Sequence, residues 1–202
     1  MVMLNKIYTR KGDDGTTALA DGTRRHKDDA RIESYGAIDE ANATIGIARL
    51  HTSDPIRGGV HKTLDDILLR LQNDLFDLGA DLATPVSKEK AKKKSLRIQP
   101  QQVERLEQEI DMLNKDLAPL TSFILSGGSA AAAHLHLART IIRRAERVMS
   151  AVHKNKDKDD ALSPEARQFI NRASDLLFVA ARIANANEGV EDVLWQPHGN
   201  IK

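Results

Sequence analysis

Apolar residues recur at steps of three and four along five separate segments of the chain, which is the spacing of one face of an α-helix. The segments cover about residues 30–50, 60–83, 100–118, 130–152 and 164–188. Polar loops join them, and Pro85, Pro119 and Gly189 stand at segment ends, where such residues stop helices. No stretch alternates apolar and polar residues long enough to indicate a strand. The pattern therefore predicts an all-α protein that forms a five-helix bundle.

Composition limits the classes of function that such a bundle can serve. The chain has 202 residues, of which 41% are hydrophobic, so a single domain with a sizeable core is expected. Lysine and arginine number 30 against 29 aspartate and glutamate, and this balance argues against a nucleic-acid binder. The chain has no cysteine, which excludes disulfides and cysteine catalysis and fits a reducing compartment. With no apolar run of membrane-spanning length and no secretory signal, we expect a soluble, cytoplasmic protein.

The first thirty residues are rich in glycine, threonine and aspartate, and they predict a loop with turns. Glycines let the backbone approach a ligand closely, and successive amide N–H groups, hydroxyls and cations can hold phosphate oxygens. A plain polar loop is the alternative, because no Walker A or dinucleotide-binding glycine motif is present. The candidate phosphate-binding residues within residues 9–17 are Thr9, Arg10, Gly12, Asp13, Gly15 and Thr17.

The fourth segment carries a stripe of arginines, since Arg139, Arg143 and Arg147 follow one another at steps of four. Like charges on one helix face repel each other, so a helix keeps such a stripe readily when an anion or carboxylates lie opposite. Glu146 stands three residues from Arg143 and could orient it. The alternative is a solvated basic face at the edge of the core.

Two other helical segments also carry candidate polar residues. Asp39 flanks the apolar face of the first segment and is a candidate partner for an arginine across the bundle. A mostly polar stripe on the fifth segment is either the solvated face, the lining of a pocket or a subunit contact; its members are Asn171, Asp175, Phe178, Arg182 and Asn185.

Histidines and charged loops offer weaker signals. His134 and His136 are two residues apart and face different sides of a helix, so we interpret them as surface or core residues and expect no protein metal site. The lysine-rich segment over residues 87–95 is either a phosphate-attracting arm or, as we favour, a solvated loop. A second charged loop covers residues 153–160.

Six motifs occur in order along the chain, and together they resemble the PduO-type ATP:cob(I)alamin adenosyltransferases. They lie at residues 9–17, 27–29, 35–42, 123–128, 138–147 and 171–178. The resemblance runs from residue 7 to about residue 187, and six motifs in order are far more specific than any one of them. Ala41 and Ala173 stand where this family usually has leucine, and we expect repacking there rather than loss of function.

The resemblance implies a bundle with ferritin-like up-and-down packing, assembled as a homotrimer with active sites between adjacent subunits. It implies transfer of the 5′-deoxyadenosyl group of ATP to the cobalt of cob(I)alamin, with release of triphosphate. Mg²⁺ would accompany ATP, held mainly by phosphate oxygens. The domain would divide into a nucleotide-binding loop (residues 1–29), the bundle (30–188) and a tail (189–202). A flavoprotein reductase or a cobalamin-dependent acceptor enzyme is a candidate partner. The alternative function is that of an ATP-binding regulatory or scaffold protein that does not transfer the adenosyl group.

The resemblance also implies roles for individual residues. In the nucleotide site, residues 9–17 and Lys27 of one subunit would embrace the phosphates. The neighbouring subunit would complete this site with Arg143, Glu146 and Asn171. In the corrinoid site, Asp39 and Arg139 match the salt bridge that positions the corrin, and Phe123 matches the aromatic residue that displaces the lower axial ligand of cobalamin. Further corrinoid contacts would be Asp175 and Phe178, and the implied catalytic residues are Arg143, Asp39, Arg139 and Phe123.

Overall fold

The computed structural model describes residues 8–53, 59–85, 95–154 and 161–199, and most of both lysine-rich segments lies outside these ranges. The described residues form five helices: α1 (Ala30–Thr52), α2 (Lys62–Leu82), α3 (Pro100–Asn114), α4 (Ala130–Lys154) and α5 (Pro164–Asn187). α1 packs against α2 and α4, while α5 packs against α3 and α4. These helices confirm the five predicted segments. None of the described helices is long and apolar enough to cross a membrane.

The helices contribute apolar residues of different size to the core. α2 contributes a fully buried row of leucines, whereas α4 and α5 bury many alanines among larger apolar residues. Buried alanines let neighbouring helices approach closely. They include Ala131, Ala138, Ala145, Ala166, Ala173 and Ala180.

The helix ends are capped by residue types that favour these positions. Asp29 caps α1 by accepting a hydrogen bond from the amide of Arg31 at 2.8 Å. Ser129 and Ser163 do the same for α4 and α5, with acceptor distances of 3.2 and 3.1 Å. Gly189 follows α5 with a φ of 67°, the left-handed conformation that glycine adopts without strain.

The N-terminal loop contains a short hairpin that the sequence did not indicate. β1 (Thr16–Ala18) pairs antiparallel with β2 (Arg24–His26). With three residues in each strand, the apolar–polar alternation is too short to be recognised. Leu19 at the hairpin turn is buried, and the amide of Ala20 donates to the carbonyl of Ala83 at 2.9 Å. The loop is therefore fixed to the bundle at the C-terminal end of α2.

The chain after α5 returns along the segment that precedes α4. Ile124 and Leu194 form an antiparallel bridge, and the amide of Trp195 donates to the carbonyl of Phe123 at 2.6 Å. A salt bridge of 2.8 Å between Arg182 and Asp192 anchors the returning chain to α5. This contact fixes the C-terminal residues beside Phe123.

Candidate functional site

The glycine-rich loop folds back on itself around Lys27. The amide of Lys27 donates to the carbonyl of Gly15 at 2.9 Å. A Cβ placed on Gly12 would lie 3.3 Å from the ammonium nitrogen of Lys27, so glycine leaves room for this side chain to lie over the loop. The structure thus brings the predicted cation and the predicted glycines together. An exposed loop with a cation over its backbone is suited to hold phosphate oxygens.

Asp14 stabilises this loop through contacts inside it. Its Oδ1 accepts hydrogen bonds from the hydroxyl and the amide of Thr16, at 2.8 and 3.0 Å, and it forms a 3.2 Å ion pair with Arg24. These hydrogen bonds, followed by the charge of Arg24, lower the pKa of Asp14. Asp13 beside it is exposed, as Asp14 itself is. The two carboxylates differ in their contacts, since those of Asp14 hold the loop together.

A second group of predicted residues comes together where α4 faces α5. Glu146 Oε1 accepts a hydrogen bond from the side-chain amide of Asn171 at 3.0 Å, and Asn171 Oδ1 accepts another from Arg172 at 2.6 Å. Glu146 and Asn171 line an open recess, together with Arg167, Gln168 and Arg172. The two residues that the sequence proposed for one nucleotide site are thus in direct contact, though they are 25 positions apart.

The arginine stripe is largely exposed, since Arg143 and Arg147 are exposed and Arg139 is half-buried. Glu146 bonds to Asn171 rather than to Arg143, so it does not orient that arginine as the sequence suggested. Within the described residues, Arg143 is exposed and its guanidinium forms no ion pair, although its charge acts on the Asp175 carboxyl. An exposed guanidinium that is not held by an ion pair is available to bind an anion.

Arg139 and Phe178 meet on the same face. The guanidinium carbon of Arg139 lies 5.9 Å from the centre of the Phe178 ring, a cation–π contact between α4 and α5. Burial lowers the pKa of Arg139, and the positive charge of Arg143 lowers it further. This face therefore concentrates positive charge around an aromatic ring.

Asp175 adds a carboxylate to this surface. Although Asp175 is solvent-exposed, the protein packed around its carboxyl raises its pKa, and the charge of Glu146 acts in the same direction. Arg172 and Arg143 oppose this increase. The pKa of Asp175 is nevertheless raised, so its ionised form is destabilised by the fold.

Asp39 lies away from that face in the isolated chain. It lines an apolar recess between α1 and α2 with Tyr35 and Phe76. Across the described residues of one chain, no ion pair joins Asp39 to Arg139. The arginine that does cross from α4 to α1 is Arg144, which pairs with Glu33 at 3.1 Å and with Glu40. The pairing of Asp39 with Arg139 therefore stays a prediction that needs a second chain.

Phe123 is held with its ring in solvent. The residue is 80% exposed, and its ring lies in a T-shaped arrangement with that of Trp195, with 6.3 Å between ring centres. Glycine is required at position 128, since a Cβ on Gly128 would collide with the side chain of Asn185, whose Oδ1 accepts a hydrogen bond from the amide of Ser129 at 2.8 Å. Because Trp195 beside it is also exposed, the two aromatic rings form an exposed apolar patch, as binding surfaces do.

The polar stripe predicted on α5 divides into two parts. Asn171, Asp175 and Phe178 belong to the candidate site, whereas Arg182 and Asn185 are buried and fix other segments. Arg182 donates to the carbonyl of Ala118 at 2.8 Å in addition to pairing with Asp192. The interpretation of this stripe as a solvated face is therefore wrong for these two residues, because distant segments fold over them.

Sequence reasoning also missed residues that support the site. Trp195 gave no signal, because its pairing with Phe123 joins segments 72 positions apart. Of the two places expected for His136, surface or core, the structure shows the core, but its ring contact with Phe178 gave no signal in the sequence. No group of three or more histidine, aspartate or glutamate side chains in the described ranges could hold a metal ion.

The candidate residues thus form two separate groups in one chain. The loop with Lys27 lies at the end of α2 and Asp39 lies between α1 and α2, whereas Arg139, Arg143, Glu146, Asn171, Asp175 and Phe178 line the α4–α5 face. No hydrogen bond or ion pair among the described residues joins one group to the other.

Comparison with known proteins gives a consistent result over nearly the whole chain. The family model described as cobalamin adenosyltransferase matches residues 7–184. The corrinoid adenosyltransferase of Mycobacterium tuberculosis (strain H37Rv) is 46% identical over 200 residues, which cover 98% of this chain and 97% of that protein. The corrinoid adenosyltransferase of Bacillus subtilis is 40% identical over 191 residues, covering 95% of this chain and 92% of that protein.

Solved structures show the same similarity. A variant of the PduO-type ATP:corrinoid adenosyltransferase from Lactobacillus reuteri, complexed with cobalamin and ATP, superposes with a TM-score of 0.83 at 34% identity. The match covers 95% of this chain and 99% of that one. A second variant of that protein, complexed with ATP, gives a TM-score of 0.80 at 36% identity, covering 94% and 100% of the two chains.

Proposed function

This chain belongs to the cobalamin adenosyltransferase family, and we propose on that basis that it transfers the 5′-deoxyadenosyl group of ATP to the cobalt of cob(I)alamin. The cobalt–C5′ bond forms as the bond from C5′ to the triphosphate oxygen breaks, and triphosphate leaves. The observation that carries the proposal is the exposed guanidinium of Arg143, which forms no ion pair within the described residues and lies one helical turn from Glu146, the partner of Asn171.

The protein need not supply a nucleophile, because the reduced cobalt is itself a very strong one. Its tasks are to align the two substrates and to stabilise the negative charge that develops on the triphosphate. Arg143, Lys27 and the amides of residues 9–17 are suited to the second task, since each places a cation or an N–H donor in an exposed position. Mg²⁺ enters with ATP as part of that substrate, bound mainly to phosphate oxygens.

The corrinoid binds against the apolar and cationic face around Phe178 and Arg139, with Asp175 as a further contact. Phe123, whose ring is exposed, occupies the lower axial side of the cobalt. An apolar ring there excludes the axial ligand and water, which makes the Co(II) form easier to reduce. Its rigid segment supports this role, because the paired tail holds Phe123 in place.

The two separate groups of candidate residues support a site shared between chains. We infer a homotrimer with ferritin-like bundle packing, in which the loop, Lys27 and Asp39 of one subunit meet the α4–α5 face of its neighbour. Asp39 then pairs with Arg139 across the interface, which supplies the acidic partner that this guanidinium lacks within the described chain. Residues 1–29 act as the nucleotide-binding loop, residues 30–188 as the bundle and residues 189–202 as the tail. A reductase or acceptor enzyme and a cytoplasmic location stay predictions.

The activity is tested by mixing chemically reduced cobalamin, Mg²⁺ and ATP with the purified protein and following the absorbance of adenosylcobalamin. We expect one triphosphate for each adenosylcobalamin. If no adenosylcobalamin forms under strong reduction while ATP still binds, the regulatory or scaffold alternative is correct.

The shared site is tested by co-expressing two inactive variants, Asp39→Ala and Arg143→Ala. Each shared site takes Asp39 from one subunit and Arg143 from its neighbour, so a mixed trimer has one site in which both residues are present. With random assembly from an equal mixture, about a quarter of all sites are intact, and about a quarter of the wild-type activity per chain should return. A matched mixture of Arg139→Ala and Arg143→Ala should stay inactive. Both arginines lie on the α4–α5 face, so every site in that mixture lacks one of them. No recovery in the first mixture, with mixed trimers demonstrated by a tag, would exclude the shared site.

A further inference from the structure

A buried histidine lies behind the proposed corrinoid face. His136 of α4 is 2% exposed. Its ring packs edge-on against Phe178 of α5, with 6.3 Å between ring centres and 64° between the ring planes. Arg139, one turn further along α4, contacts the same ring. Phe178 therefore contacts both His136 and Arg139.

Packing alone does not explain a histidine at this position. Neither ring nitrogen of His136 has a hydrogen-bond partner among the described residues, and the Nε of Arg139 is also buried without one. A neutral imidazole carries one donor and one acceptor, and burying them unpaired destabilises the folded state. An apolar side chain of similar size would avoid this cost, so the ring is retained at the expense of stability.

The imidazole is neutral at the pH at which the enzyme would act. Burial lowers the pKa of His136, the positive charge of Arg139 lowers it further, and Asp192 acts in the opposite direction with a smaller effect. A neutral ring can lie one turn from Arg139 without repelling it. It therefore contributes a flat surface to this contact and no charge.

We propose that His136 is a positioning residue for the corrinoid substrate, acting through Phe178 on Arg139. The imidazole holds the Phe178 ring at its observed angle, and the ring in turn orients the guanidinium, which has no acidic partner within the described part of one chain. This inference rests on the proposed function, because it assigns the orientation of Arg139 to corrinoid binding.

The first test is the variant His136→Leu, with His134→Leu as its matched control on the same helix. His134 lies on another side of α4, where its Nδ1 contacts the carbonyl of Ala130 and its ring stacks on His51. We expect His136→Leu to raise KM for cobalamin about threefold or more, to leave KM for ATP unchanged and not to lower Tm. The control should change neither KM.

The second test asks whether His136 acts through Phe178. In a Phe178→Leu background the ring that His136 supports is gone, so His136→Leu should then have no further effect on KM for cobalamin. If His136→Leu does not fold, His136→Gln, which keeps a polar group but lacks the ring, replaces it in both tests.

The outcomes separate this inference from the proposed function. Wild-type protein that forms no adenosylcobalamin contradicts the function itself. Active wild-type protein with an unchanged KM for cobalamin in His136→Leu overturns only the role of His136. Equal increases in KM for ATP and for cobalamin in His136→Leu would overturn it as well. So would a double variant with Phe178→Leu whose KM for cobalamin rises by the product of the two single effects.

Discussion

The carboxylate of Glu146 accepts a hydrogen bond from the side-chain amide of Asn171 at 3.0 Å, which joins α4 to α5 at the edge of the proposed nucleotide site. Arg172 holds the other end of the Asn171 amide. Asn171 is therefore oriented from both sides, and its loss should disturb a carboxylate as well as remove a polar contact.

Asn171→Ala should accordingly weaken ATP binding while the bundle remains folded. In its proposed role Asn171 also contacts a phosphate oxygen of ATP, and loss of one such hydrogen bond to a charged group costs about 1.5–3 kcal/mol, so we expect KM for ATP to rise about tenfold to a hundredfold. Gln168→Ala, which lies in the same recess, is the control and should change KM for ATP much less. Steady-state kinetics with ATP varied at saturating cobalamin measures the effect; equal KM values in both variants would contradict the assignment.

Arg143→Ala should abolish most of the turnover without unfolding the protein. Removing one group that stabilises the charge of a leaving group costs about a hundredfold to a thousandfold in kcat. Arg143 is exposed and forms no ion pair in the described chain, so the substitution leaves no buried charge unpaired. Arg147→Ala, one turn further on α4, is the matched control; near-normal turnover in Arg143→Ala would remove its assigned role.

The helices were predictable from the sequence because the residues that determine a helix lie close together along the chain. The apolar period of α2 and the caps at Asp29, Ser129 and Ser163 each act within a few residues, so each can be read from neighbouring positions. The residues of the candidate site were named from the six ordered motifs and stay a prediction. Which of them contact one another could not be read from the sequence.

The features that escaped prediction depend on contacts between distant segments. The bridge between Ile124 and Leu194 and the hairpin over residues 16–26 have strands of three residues or fewer, too short to show a period. Glu146 has several candidate partners at helical spacing, and only the packing of α4 on α5 selects Asn171. Burial of His136 likewise follows from the position of Phe178.

Phe123→Ala should affect the two oxidation states of cobalamin differently. If the ring displaces the axial ligand, its loss should slow the reaction that starts from Co(II) and a reductant much more than the reaction of preformed Co(I). The exposed side chain lacks a core role, so Tm should hardly change. Leu120→Ala, another exposed residue of the segment before α4, is the control. Equal losses from both oxidation states would rule out ligand displacement.

Asp175→Asn should make the folded protein more stable at neutral pH. The raised pKa of Asp175 means that the fold disfavours its ionised form, and this destabilisation grows as the pH rises through that pKa. We expect the variant to have a higher Tm than the wild type at pH 7, with the difference disappearing below the unfolded pKa of about 3.9. A lower Tm at pH 7 would contradict this reading of the site. Weaker cobalamin binding in the same variant would show that Asp175 lowers the stability of the fold but contributes to substrate binding.

Asp65→Asn should have the opposite effect on stability. The Asp65 carboxylate accepts hydrogen bonds from the Arg49 guanidinium at 3.0 and 2.9 Å and from Thr52 at 2.7 Å. Partial burial alone would raise the pKa of Asp65, but these bonds outweigh it and lower the pKa. The carboxylate therefore stabilises the fold above its unfolded pKa of about 3.9, and this contribution is lost as the pH falls through the lower folded value.

At pH 7 the variant should lose about 1–3 kcal/mol of unfolding free energy, since the charged acceptor of these bonds is removed. Urea unfolding at pH 7 and pH 3 measures the change, and the difference from the wild type should shrink at the lower pH. Lys62 and Asp66 provide the control, because their 2.8 Å pair is exposed and Asp66→Asn should change stability much less. A difference for Asp65→Asn that is independent of pH would show that lost packing, rather than the ionised carboxylate, is responsible.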